Sequence, residues 1–398
     1  MSRVVDVVNF NADASCLPAA TWLGMLNGGT RSELCQWLGL YVRRRQKVVL
    51  GFVGSAIADM AVFNPEAIKL VNDHPEIFEV LLRPFAHDIA LLRSTHGFAT
   101  NLLLGILTIS REFKKVVDYF LPPEFMLTSS QVAQLASRGV KGTFINSARF
   151  KGELQGRIPN APYVLEGVLG ARLNCISFCG ELTDAYLQSI HFYGGEAWNE
   201  ALQQKTGGGV NYSWRDGESC FLLPDSIERE AAWLGDEARS IERRHLSEEI
   251  AVSNFSGIQE HAKPFSSYPT HSFSAWFKEN RMLGFLGHVQ RFESRLDEMS
   301  IDARTLWLQV INSDILSAVE KDSPTIMLRE IGRNEDSGMP FTIWRTERGF
   351  EGEDFLVRLE RLMEQGDMTF LADADFRPHI MKLKARADYL RQLEKERR

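Results

Sequence analysis

The strongest constraint on the fold is a repeated passage from a short apolar run to a helix-like segment, with polar residues gathered where the runs stop. Residues 3–10, RVVDVVNF, read as a buried opening strand. KVVLGFVGSAIADM (47–60) reads as strand, Gly-Ser turn and helix, and PEAIKLVNDH (65–74) as a helix opened by Pro65. IFEVLLRPF (77–85) is a strand stopped by Pro84, and residues 99–120 lead through a helix to DYF. Pro122 and Pro123 then deny their N–H groups to any ladder. Thr128 with Gln131 makes a capping box, Gly139 ends that helix, and VKGTFI (140–145) suits a strand. This alternation predicts parallel βα units. In parallel barrels and open sheets the chemistry sits where strands end. Asn11, Asp13, Ser55, His87, Asp88 and Glu124 all fall there.

From about residue 226 the pattern becomes helical and charged, in SIEREAAWLGDEARSIERRHLSEEI and again in ARTLWLQVINSDILSAVEK and the C-terminal HIMKLKARADYLRQLEKERR. Short strands are expected around PTIMLREIGRNEDSGMPFTIWRTERGF, and the most linker-like stretch is 252–272. The organisation expected is a βα catalytic unit over 1–250 and a helix-rich region over 251–398 that completes the cleft.

Composition narrows the function. The net charge of −7 provides no basic surface for nucleic acid. No apolar run approaches the length of a membrane span, and Asp6 and Asn9 interrupt the opening run, so a cytoplasmic protein with no membrane partner is expected. The five cysteines form no CxxC pair, and no HxxxH or HExxH occurs, so neither metal nor other cofactor is expected. The glycines of GFVGS and KTGGGVN match no phosphate loop.

Carboxylates supply the candidate chemistry. Glu124 stands just past a strand end, where it can serve as nucleophile or acid, or simply favour a helix N-terminus. WRDGES sets Asp216 and Glu218 beside Trp214, although Asp-Gly is also a hairpin signal. IHFYGGEAWNEAL offers Glu196 among aromatic residues, or a Gly-Gly turn opening a helix. His87, past the next strand end, suits a hydrogen bond to substrate.

The order of these segments resembles the catalytic domain of glycoside hydrolase family 57. The segment PPEFMLTSSQVAQLASRGVKGTFI is similar to the family's nucleophile segment and puts Glu124 on the nucleophile. FEVLLRPFAHDIALL puts His87 on the family's histidine, and WRDGES puts Asp216 on the acid/base. INSDILSAV resembles the family's Ser-Asp segment and carries Asp314 toward the sugar. NFNADAS stands where the family has His-Gln-Pro, with Asn11 in place of the histidine, and Asp88 replaces a proline. The similarity spans roughly 4–320 and is strongest over 76–146. It implies an α/β fold, a distorted (β/α)7-type barrel followed by helices. It also implies a retaining glycoside hydrolase or transglycosylase acting on a carbohydrate. Glu124 and Asp216 would be catalytic, Glu196 an alternative acid/base, and His87, Asn11, Asp13, Trp214 and Asp314 substrate-binding. The altered first motif supports a second reading, an inactive barrel that binds a carbohydrate or a protein partner. A third is a metal-dependent deacetylase using Asp13, His87 and His96.

Overall fold

The computed structural model describes residues 2–13, 19–146, 162–191, 194–203, 209–221, 223, 225–237, 241–255, 258–260, 287, 289–312 and 377–397. Among the described residues ten strands form one sheet: β1 (Ser2–Phe10), β2 (Val48–Phe52), β3 (Phe78–Leu82), β4 (Val116–Phe120), β5 (Gly142–Asn146), β6 (Tyr163–Glu166), β7 (Arg172–Phe178), β8 (Val210–Asp216), β9 (Ile241–Arg243) and β10 (Ile258–Glu260). The spatial order is β10-β6-β7-β5-β4-β3-β2-β1-β8, with β9 beside the start of β1. Among the described residues every ladder is parallel except β6–β7. The expected alternation of strands and helices is therefore present.

The run from β7 to β8 holds seven strands, and neighbours in a sheet lie about 4.8 Å apart, so a flat sheet would separate its ends by roughly 29 Å. Here the ends meet. The ring of Phe125 lies 5.5 Å from that of Phe178 on β7 and 5.0 Å from that of Trp214 on β8. The Cys179 N–H also donates to the Tyr212 carbonyl at 2.9 Å. Val7, Val49, Leu81, Tyr119, Phe144, Ile176 and Trp214, one from each strand, share a single interior cluster. The sheet curls into the distorted barrel form that was expected.

Side-chain alternation sorts the rest. Val5 and Val7 face the interior, while Val4 and Val8 pack outward with Trp37 and Leu38 of the helix Glu33–Arg44. The outward parity explains the charges inside β1 and β8. Asp6 and Arg215 lie under the helices, where Arg215 reaches Glu230 and Arg243 reaches Asp6. Gly105 lets the helix Thr95–Glu112 lie directly on the chain after β3, since a Cβ there would stand 2.2 Å from the Arg83 carbonyl oxygen. The capping box at Thr128 is formed in full.

Two expectations need correction. The linker-like stretch 252–272 contains a strand, β10, which pairs with β6. The charged segment from 226 is not a plain helix pair, because β9 pairs with β1 between the helices Ser226–Glu237 and Leu246–Val252. The helices Ile301–Val310 and Arg377–Arg397 pack on each other, and the second packs on the helix Gly54–Phe63. The strands expected around NEDSG lie outside the described residues. Among the described residues no helix is long and apolar enough to cross a membrane.

Candidate functional site

Glu124 is presented by strain. Pro122-Pro123 end β4, and the next turn places Glu124 at φ 52° and Phe125 at φ 53°. Left-handed backbone at consecutive non-glycine residues is costly and clusters at functional sites. The buried Phe125 ring, held between Phe178 and Trp214, pins the turn. Glu124 is left with 19% of its side chain exposed and its Oε1 3.6 Å from His87 Nε2.

His87 follows β3 on a clamped loop. Asn101 accepts from the Ala86 N–H at 2.8 Å and donates back to the Ala86 carbonyl at 3.2 Å. Arg83, buried one residue past the end of β3, brings Nη2 to 3.2 Å from His87 Nδ1.

Asp216 ends β8. The parallel register sets Asn9 opposite it, and Asn9 Nδ2 donates to Asp216 Oδ1 at 2.9 Å. Trp214 lies two residues below on the same face, so it is an apolar wall beneath the site. Gly217 follows in a turn pressed against the Phe10 ring, which a Cβ there would meet at 2.3 Å. The chain enters the short helix Glu218–Phe221 rather than the hairpin that Asp-Gly suggests. Glu218 consequently turns back into the site, buried, and accepts from the Asn11 N–H at 3.4 Å.

Burial pushes the Asp216 carboxyl above its ordinary range, and the charge of Glu124 pushes the same way. The Asn9 donor, His87 and Arg83 oppose that shift. Burial lowers Arg83 to about 10, while Asp216, Glu218 and Glu124 favour its charge. One guanidinium therefore sits among three carboxyl groups. Because the Asn9 bond favours ionised Asp216, Asn9→Ala should raise that pKa further. If Asp216 works as an acid, the alkaline limb of the activity–pH profile should move to higher pH, and an unmoved limb would remove Asp216 from that role.

The other expected residues divide. Asn11 is in the site, with its side-chain carbonyl accepting from the Asp13 N–H at 3.1 Å and from Asn312 Nδ2 at 3.3 Å. Asp13 is corrected: its carboxylate is buried against Lys382 at 2.7 Å and Arg386 at 2.8 Å, which makes it an anchor rather than a sugar contact. Those two cations overcome its burial and hold its carboxyl well below the usual range. Glu196 is also corrected. It is exposed at the first turn of an outer helix, Glu196–Gln203, whose Trp198 packs on Trp233. His96 is half-buried beside Asp297, so Asp13, His87 and His96 face different partners and form no ligand set. Among the described residues no group of three or more His, Cys, Asp or Glu side chains could hold a metal. Asp88 turns to Arg93 at 3.2 Å and bridges Asn312 through the backbone; burial pushes its carboxyl up to about 7. Asp314 lies outside the described residues.

Sequence reasoning missed Arg83 and Asn9. The signal was parity. Residues 79 and 81 share one face of β3, with Arg83 next in that series one residue past the strand's end, and residues 5, 7 and 9 share one face of β1. In both cases the polar residue that closes the inward series points at the site.

No protein-family model matches the chain, and no curated protein matches it. Solved structures do. A family 57-type branching enzyme from Pyrococcus horikoshii is similar over 98% of this chain and 96% of its own, at 11% identity and a TM-score of 0.65. A 4-alpha-glucanotransferase from Thermococcus litoralis is similar over 80% of this chain at 14% identity and a TM-score of 0.57. The match spans about half of that longer protein, 54%. An exo-type maltose-forming amylase from a Pyrococcus species is similar over 99% of this chain and 81% of its own, at 14% identity and a TM-score of 0.54. The chain shares its fold with family 57-type enzymes.

Proposed function

We propose that the chain is a carbohydrate-active enzyme, a retaining glycoside hydrolase or transglycosylase. One observation carries this reading. Glu124 and Asp216, both still reached by solvent, stand past the end of β4 and at the end of β8; the charge of Glu124 bears on Asp216, both carboxyl groups bear on Arg83, and His87 stands 3.6 Å from Glu124. The neighbours of like fold, named as a branching enzyme, a glucanotransferase and an amylase, support a glucan as substrate.

In this reading Glu124 attacks the anomeric carbon as Asp216 gives its proton to the departing oxygen. The glycosyl ester on Glu124 is then displaced by water or by an acceptor hydroxyl, whose proton Asp216 takes. An acid must hold its proton until the leaving oxygen arrives, and the raised carboxyl of Asp216 suits that task. Asn11 is assigned to the sugar, His87 to the sugar site through the Glu124 carboxylate beside it, Trp214 to the wall beneath, and Asp314 to the sugar by the resemblance of INSDILSAV.

Retention is tested by proton NMR of the first product formed from α-1,4-glucans and aryl α-glucosides. The first-formed product should keep the substrate's anomeric configuration. An inverted product would overturn the double-displacement assignment. If no glycoside is turned over, the reading as an inactive carbohydrate-binding or protein-binding barrel replaces it.

A further inference from the structure

The geometry points to Arg83 as a positioning residue that fixes the tautomer of His87, so that the ring presents its Nε2–H to Glu124. The inference rests on the reading of Glu124 as nucleophile only for its kinetic consequence.

A guanidinium has N–H donors and no acceptor. Arg83 Nη2 stands 3.2 Å from His87 Nδ1, so in that contact Nδ1 is the acceptor and carries no proton. The neutral ring must then hold its proton on Nε2. That nitrogen is 3.6 Å from Glu124 Oε1, longer than a hydrogen bond, as catalytic contacts often are before substrate binds. Among the described residues Nε2 is buried and has no hydrogen-bond partner within reach, so the carboxylate is where its N–H can go.

The surroundings hold both residues in place. Arg83 is 1% exposed, and its chain runs past Gly51, where an added Cβ would come to 3.8 Å from Arg83 Cδ and 3.0 Å from Leu121 Cδ2. Its backbone lies against Gly105, and Asn101 clamps Ala86, the residue before the histidine. Neither end of the Arg83–His87 contact is free to drift. Arg83 touches no reacting atom in this scheme; it acts through His87.

The test is long-range proton–nitrogen NMR of protein labelled with 15N in its histidine rings. The His87 signal is assigned by its loss in His87→Gln. Neutral His87 should be protonated on Nε2 in the wild type, and Arg83→Met should shift it toward the Nδ1–H form. A wild-type Nδ1–H tautomer, or no change in Arg83→Met, would overturn the assignment. If Arg83→Met does not fold, the wild-type tautomer decides alone. With a turned-over glycoside, Arg83→Met should lower kcat about tenfold or more at little cost in KM. An inactive wild type whose His87 carries its proton on Nε2 would sink the glycosidase reading and leave the role of Arg83 standing.

Discussion

Asp216→Asn is expected to lower kcat on α-glucans by about 10²–10⁴-fold, the usual size of a lost general acid. The amide fills the same space and can keep a bond to Asn9, but it has no proton to give. An aryl glycoside with a good leaving group needs no proton in the first step. Its glycosylation should survive, and the variant should show a burst followed by slow turnover, because water is no longer activated. Glu196→Gln should change neither step, since Glu196 is exposed on the outer layer. If Asp216→Asn keeps full activity on glucans, the acid lies elsewhere. Glu218, buried beside Asn11, would be the first carboxyl to substitute.

Arg386→Met is expected to destabilise the protein by about 3–5 kcal/mol, the cost of stranding buried charge. Arg386 is 2% exposed and makes a two-pronged contact with Asp59, at 2.9 Å to Oδ1 and 2.6 Å to Oδ2. It also reaches Asp13 at 2.8 Å and Gln309 at 2.7 Å. Without it, Asp13 keeps Lys382, while Asp59 keeps the Trp22 indole N–H but has lost its cation. The midpoint of urea unfolding reads the loss. The double variant Arg386→Met, Asp59→Asn should recover much of it, because the stranded charge is gone. An unchanged midpoint would mean that the C-terminal helix does not anchor the loop after β1. Activity should fall as well, since the same loop carries Asn11 into the site.

Much of this architecture was legible in one chain. Short apolar runs closed by Gly-Ser, by Pro84 and by Pro122-Pro123 marked β2, β3 and β4, because prolines and turn residues act locally. The capping box at Thr128 was equally local. The Asp13 anchor was not legible, since its partners Lys382 and Arg386 are brought in by tertiary packing from the far end of the chain. Glu196 misled because aromatic residues beside a carboxylate suit a sugar platform, yet Trp198 is spent on the outer core. Glu218 reaches the site through the turn at Gly217 and the short helix that follows, which the Asp-Gly pair, a hairpin signal, did not announce. Arg83 had a readable parity but no motif, and only the fold shows what its guanidinium reaches.

The central claim is that Glu124 forms a covalent bond to the sugar, and trapping tests it most directly. The enzyme is incubated with a 2-deoxy-2-fluoro glycosyl fluoride, which slows both steps but leaves the first one feasible, and is then digested for mass spectrometry. The account predicts one added fluoro-sugar per chain, on the peptide containing Glu124, and none in Glu124→Gln. A sugar attached to another residue, or no labelling by a substrate that the enzyme does turn over, would contradict it.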